Sequence, residues 1–452
     1  MSHAVIAGKA REKVQARIGI FQARWPLQSQ TVNCASLLAQ AGYAVDLFLY
    51  ETAIYCDLES ILKNPDCRIH FFSRCDEAWR SDSQNLRGLK SQGRIITHHF
   101  AYWGSRFRRV LSSLRKITIR SIRSRHDPLP PSILRRTNEL IRGKEYRCFI
   151  GIEKAGLIWA GITGDCRGIP YLYYSLELYT RDHPDTGHSR RDRNVKQAEE
   201  CYHGKSAATI IQDQSRAEVL LKDNGVPSSH LLYVAVSVLG APYMTRATFL
   251  QERFAIRPDQ TVILQFGLLY ERRLSAELVE AAQALPAGAV VVLHGYGLSE
   301  EYIRRIETAD TKNRVFISRE MVPPRNVLEL ISSAHIGLAL YSSSTVNDVL
   351  TEFASEKMAL YLQCGIPVIA FDYPGYRRLM EKYRCGVLIE TLRDLPRAVE
   401  RIISSYDEYR RQAYRCFLDL YDYEKNFRKV VEWIDALEAT DYAGSQRDHP
   451  GL

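Results

Sequence analysis

Apolar runs of five to nine residues alternate along the chain with stretches in which apolar positions recur every three or four residues. That alternation predicts parallel sheets with crossover helices. The runs RIGIF (17–21), VDLFLY (45–50), CRIHFFS (67–73), RIITHHF (94–100), RCFIGIE (147–153), YLYYSLELY (171–179), ATIIQD (208–213) and LLYVAVSV (231–238) are predicted strands. They are rich in β-branched and aromatic residues and lack a polar face, so both faces are expected to be buried. A helix ending near Gln40 is expected to stop at Gly42. After residues 239–260 the pattern restarts with TVILQFG (261–267), AVVVLHG (289–295), RVFIS (314–318), HIGLALY (335–341), PVIAF (367–371) and GVLIE (386–390).

Two α/β domains of parallel sheet therefore face each other across a cleft, followed by a C-terminal helical segment. The predicted divisions are 1–240, a linker at 241–257, a second domain at 258–412, and a terminal helix and tail at 413–452. Helical order is expected from 392 to 438. Within the second domain the polar loop SSST (342–345) is expected to cap one helix carrying Val349, Leu350, Phe353, Met358, Leu360 and Leu362 inward. That helix stops at Cys364–Gly365, and Pro367 prevents its continuation.

Composition changes this picture little. At 452 residues, 46% hydrophobic and 25% charged, the chain is of ordinary globular type, which excludes disordered, collagen-like and disulfide-scaffold classes. No apolar run of about 18 residues is present, and the charged start does not read as a secretory signal, so a cytoplasmic protein is expected. The ten cysteines form no CxxC pair and have no zinc-ligand spacing, so reduced structural thiols are expected and no metal site is assigned. Charge is more informative. Of the net +9, eleven Lys/Arg fall between Asp82 and Asp127 with no acidic residue among them. Such a patch predicts an anionic partner.

The stretch Ser355-x-Lys357-x3-Tyr361-x2-Cys364-Gly365-Ile366-Pro367-Val368-Ile369-Ala370 is the most telling. A strand, a polar loop and a helix at the carboxyl edge of a parallel sheet present free N–H groups to a phosphate. This stretch resembles the donor-binding signature of GT-B fold glycosyltransferases, especially the retaining group related to glycogen synthase. Phe266-Gly267 followed by Arg272-Arg273, the turn His294-Gly295-Tyr296-Gly297 and the strand Ala334–Tyr341 are similar to that family's landmarks, in the same order. Three positions depart from it. Glu352 takes the first place of the family's Glu-x7-Glu pattern but Leu360 takes the second. Leu268 stands where an Arg is usual, and the loop Gln22–Pro26 lacks glycines.

The resemblance implies two Rossmann-like domains, a nucleotide-sugar donor in the second, a saccharide or lipid-linked acceptor in the first, and no cofactor. It implies Lys357, Arg273, Glu352 and His98 as catalytic candidates. Gly267, Gly295, Gly297, Tyr341, Asn347, Ser355 and Gly365 become the donor-binding set. Each has an ordinary reading beside the functional one: Lys and Arg on helices are commonly solvated, and Gly365 serves as a helix stop. On the acceptor side His99, Glu153 and Glu177 lie at strand ends facing the cleft, where a His or carboxylate suits an acceptor hydroxyl. The segment 106–125 places Phe107, Val110, Leu111, Leu114, Ile117 and Ile122 mostly on one helical face and arginines opposite. It reads either as an interfacial helix on anionic lipid at the inner face of the membrane or as a helix packed on its own sheet.

The function expected is sugar transfer in cell-surface polysaccharide or glycolipid synthesis, with retention at the anomeric carbon. Two rivals stand beside it: a sugar-nucleotide 2-epimerase of the same architecture, and a non-catalytic relative that binds membrane or nucleic acid through 83–126. No nucleic-acid reader motif is present, and neither domain has G-x-G-x-x-G after its first strand, which disfavours nucleic acid and dinucleotides.

Overall fold

The structure, a computed structural model, describes residues 16–23, 26–52, 59–72, 129–183, 189–269, 273–296, 299–320 and 322–437. His98, His99, Gly297, the predicted strand 94–100 and the basic segment 106–125 lie outside the described residues.

The first sheet is built from β1 (Arg17–Ala23), β2 (Ala44–Tyr50), β3 (Cys67–Phe72), β4 (Tyr146–Ile152), β5 (Tyr171–Tyr174), β6 (Ala208–Ile211) and β7 (Leu231–Tyr233), in the order β3-β2-β1-β4-β5-β6-β7. The second contains β8 (Thr261–Leu268), β9 (Ala289–Tyr296), β10 (Val315–Ser318), β11 (Ile336–Ala339), β12 (Val368–Phe371) and β13 (Gly386–Ile389), ordered β10-β9-β8-β11-β12-β13. The pairings are parallel throughout. Strand side chains alternate between the two faces of each sheet, which gives every sheet two cores. Ile18 and Ile20 of β1 face one core of the first sheet, whereas Phe21 and Ala23 face the other beside Trp159.

The helices that position the cleft are α1 (Ser29–Gln40), α2 (Glu153–Arg167), α3 (Gln214–Asn224), α4 (Val346–Val349), α5 (Glu356–Gln363), α6 (Pro374–Tyr383), α7 (Tyr406–Cys416) and α8 (Tyr423–Ala436). Gly42 and Gly365 take the left-handed conformations their helix stops require, at φ 92° and 65°.

Four expectations change. The run 171–179 leaves the sheet after Tyr174, because the amides of Leu176 and Glu177 turn back to Glu153 Oε1 at 2.8 and 2.9 Å. The run 231–238 leaves after Tyr233, and Val236 N donates to Phe353 O of the second domain at 2.8 Å. The single helix expected from the 342–345 loop to Gln363 is two. Thr345 caps α4 by accepting from Asp348 N, Ser355 caps α5 by accepting from Met358 N, and between them Leu350, Glu352 and Phe353 have their carbonyls taken from outside. Arg216 takes Leu350 O, Tyr421 takes Glu352 O and Val236 takes Phe353 O.

The C-terminal region, read as one unit from 413, splits between the two domains. Cys416 and Phe417 pack into the second domain, but α8 buries Tyr423, Phe427, Val430 and Ile434 in the core of the first. Those four positions form one helical stripe, each at most 1% exposed. Among the described residues the cysteines are free thiols, and no helix is long and apolar enough to cross a membrane.

Candidate active site

The second domain brings its cationic groups to the carboxyl ends of β8 and β11. Tyr361 of α5 fixes the end of β8, its hydroxyl accepting from Phe266 N at 3.1 Å and donating to Leu264 O at 2.9 Å. Gly267 follows at φ 110°. The Lys357 chain lies against it: a methyl group on Gly267 would meet Lys357 Cε at 3.8 Å and Nζ at 4.0 Å. At the paired position in β9 a methyl on Gly295 would fall 1.6 Å from Gly267 O, so Gly295 is required by the close approach of the two strands.

Tyr341, at the end of β11, supplies the platform. Lys357 Nζ sits 5.0 Å and Arg273 Cζ 4.5 Å from its ring centroid, both within cation–π range. Its hydroxyl meets Ser355 Oγ at 2.6 Å, and its carbonyl accepts from Tyr373 at 2.7 Å. Arg273 is held from both ends: its carbonyl accepts from Gln265 Nε2 at 2.8 Å and its guanidinium donates to Asp348 Oδ1 at 2.8 Å. Asp348 in turn accepts from Thr345 Oγ1 at 2.8 Å. Lys357, by contrast, makes no hydrogen bond or ion pair among the described residues. Burial, and secondarily the charge on Arg273, pushes its ammonium down to about 7. Two cations, a glycine-lined backbone and the start of α5 thus converge on one spot, a suitable berth for a polyanion.

Glu352 lies in the 350–355 break and is 1% exposed, with neither carboxylate oxygen hydrogen-bonded among the described residues. It packs onto Gly375 in the first turn of α6, with Arg378 Nη2 3.8 Å away, and burial pushes its carboxyl up to about 7. Gly365 stands at the far end of α5, where a methyl would strike the Tyr414 ring at 2.4 Å. The structure thus groups Gly267, Gly295, Arg273, Tyr341, Ser355 and Lys357, and puts Gly365 elsewhere, in a packing role.

Across the cleft, Glu153 opens α2 directly from β4 at φ 59°, a strained conformation for a residue with a side chain. Its Oε1 takes the two amides of the 175–178 turn, its Oε2 is buried with no hydrogen-bond partner among the described residues, and burial, reinforced by Glu177, pushes the carboxyl up to about 8. Glu153 therefore supports the turn from beneath. Glu177 is carried by that turn and accepts from Asn347 Nδ2 at 2.7 Å. Asn347 accordingly faces the first domain.

Arg216, Asp348 and Gln265 were absent from the expected site. Arg216 reads in sequence as an ordinary arginine on an amphipathic helix, and nothing local marks it. Asp348 had a signal, a capping carboxylate after Ser and Thr beside a cationic cluster, which reads equally as helix capping alone.

Two Rossmann-like domains facing a cleft that holds this cationic cluster define the GT-B class of fold. Within that class, residues 292–417 match the family model for the Glucosyltransferase 3-like C-terminal domain. The chain is similar in structure to sucrose-phosphate synthase from Thermosynechococcus elongatus, with TM-score 0.62 and 13% identity over 93% of this chain and 99% of that one. It is also similar to Anabaena HepE in complex with UDP and glucose, with TM-score 0.61 and 12% identity over 94% of this chain and all of the other. In sequence it is 20% identical over 116 residues to a chitobiosyldiphosphodolichol beta-mannosyltransferase of Candida albicans; the match spans about a quarter of each chain, 25% of this one and 24% of the other.

Proposed function

We propose that the protein is a glycosyltransferase that moves a sugar from a nucleotide-sugar donor on the second domain to a saccharide or lipid-linked acceptor on the first, with retention at the anomeric carbon. The observation that carries this reading is the pair Lys357 and Arg273 over the Tyr341 ring, against Gly267 and the first turn of α5. The Glucosyltransferase 3-like match includes Tyr341, Lys357 and α5, though it begins after Gly267 and Arg273, and HepE, of the same fold, was solved with UDP and glucose.

The chemistry follows from charge. As the glycosidic bond breaks, negative charge builds on the departing nucleoside diphosphate. Groups fixed in place beforehand stabilise that charge without reorganising, and loss of one such contact raises the barrier by about 3 kcal/mol. Lys357 is the group with spare charge, since Arg273 already shares Asp348. Glu177 then faces the acceptor hydroxyl, while Glu352, buried against Gly375, supports the loop behind the donor site. Closure of the two domains keeps water from the reacting carbon.

A thermal-shift panel of nucleoside diphosphates and sugar nucleotides tests the reading. One base should stabilise the wild type, and Lys357→Ala and Arg273→Ala should each reduce that shift. A panel that stabilises none, or stabilises both variants as well as the wild type, removes the donor site from this position.

A further inference from the structure

Arg216 is fully buried, yet among the described residues none of its guanidinium's hydrogen bonds goes to a carboxylate. From the third position of α3 it donates through Nε to Gln212 Oε1 at 2.6 Å, through Nη1 to Leu350 O at 2.7 Å, and through Nη2 to Leu176 O at 2.8 Å and Asn347 Oδ1 at 3.0 Å. Two of these acceptors belong to the first domain and two to the second. Asn347 answers in the same way: its Oδ1 also accepts from Leu178 N at 2.9 Å, and its Nδ2 donates to Glu177. Three of the four hydrogen-bonding positions of that amide are spent on the first domain.

We propose that Arg216 and Asn347 are positioning residues: together they pin the donor loop, 341–355, to the turn 175–178 of the first domain and so hold the cleft closed with both substrate sites in register. The kinetic consequence of this pin rests on the transferase reading above; the pin itself does not. Its chemistry allows it to open. Taking a guanidinium wholly out of water is costly, and here the compensation comes from four neutral acceptors and the negative field of Glu177 and Asp213. Opening the cleft returns Arg216 to water, which offsets much of what the lost hydrogen bonds contributed. The pin thus biases the cleft toward closure and leaves it able to admit and release substrate. Arginine is specifically suited, because a lysine ammonium has three donors and no planar fork to span four acceptors.

The test uses the full chain with Arg216→Lys and, as a half-buried site that folds more readily, Asn347→Ala. Small-angle scattering should show a larger radius of gyration for each variant than for the wild type. Nucleoside diphosphate affinity should stay within about twofold, since Lys357, Arg273 and Gly267 all lie on the second domain. Sugar transfer should fall about tenfold or more, the equivalent of one buried charge-assisted hydrogen bond, and the share of donor lost to water should rise. Wild-type dimensions with a wild-type ratio of transfer to hydrolysis would overturn the proposal. So would a loss of nucleotide affinity in step with the loss of transfer, which marks a local structural role. If the wild type binds no nucleotide at all, the functional reading falls and the scattering comparison alone decides the pin.

Discussion

Lys357 carries its meaning in its surroundings. An ammonium in water titrates near 10.5, and this one is held at about 7 by burial and by Arg273. The unfolded chain therefore binds a proton between pH 7 and 10.5 that the folded chain does not, so the empty protein gains stability as pH rises through that window. Lys357→Met should flatten that slope in denaturation curves recorded across it. A diphosphate reverses the preference by favouring the charged form. Nucleotide binding at pH 8 should then take up close to one proton, visible by calorimetry in buffers of different ionisation enthalpy. Affinity should fall by up to about tenfold per pH unit above 7. In Lys357→Arg, whose charge persists, both effects should vanish while binding remains. The Lys357 position was legible from its motif spacing. Its lack of a carboxylate partner was not, since that depends on Arg273 claiming Asp348 from 75 positions away.

At the scale of elements, α5 has separate jobs at its two ends. Its first turn faces the cleft with Ser355 and Lys357, while its last turn runs into Gly365 beneath Tyr414 of α7. Gly365→Ala would place a methyl in the left-handed region and into that ring, costing about 2–4 kcal/mol of stability. Urea denaturation should show the loss, with diphosphate affinity measured below the transition unchanged. Strand periodicity and the glycine stop were both readable because each is a local property, decided by a few adjacent residues. The break at 350–355 was not. Its residues are compatible with one continuous helix, and what interrupts it are partners from three distant stretches of chain: Arg216, Val236 and Tyr421.

For the whole molecule, the chain crosses between domains once after β7 and returns through α8. Because Phe427 is fully buried in the first domain's core, Phe427→Ala should destabilise that domain by about 3–5 kcal/mol although it lies in the last helix of the chain. Denaturation followed by tryptophan fluorescence should report it, since Trp159 lies in the first domain. Further ties run from Gln30 of α1 to Glu356 of α5 at 3.1 Å and from Gln363 to the carbonyls of Leu239, Gly240 and Ala241.

The amino-acid order alone decided the two α/β units, thirteen of their strands, and the stretch around Lys357, because hydrophobic period, turn residues and motif spacing are short-range properties. Where α8 would lodge, which acid would pair with Arg273, and that Arg216 would join the domains were decided by tertiary packing. Each depends on a burial cost met by partners up to hundreds of residues away, and no window along the chain contains both sides of such a contact.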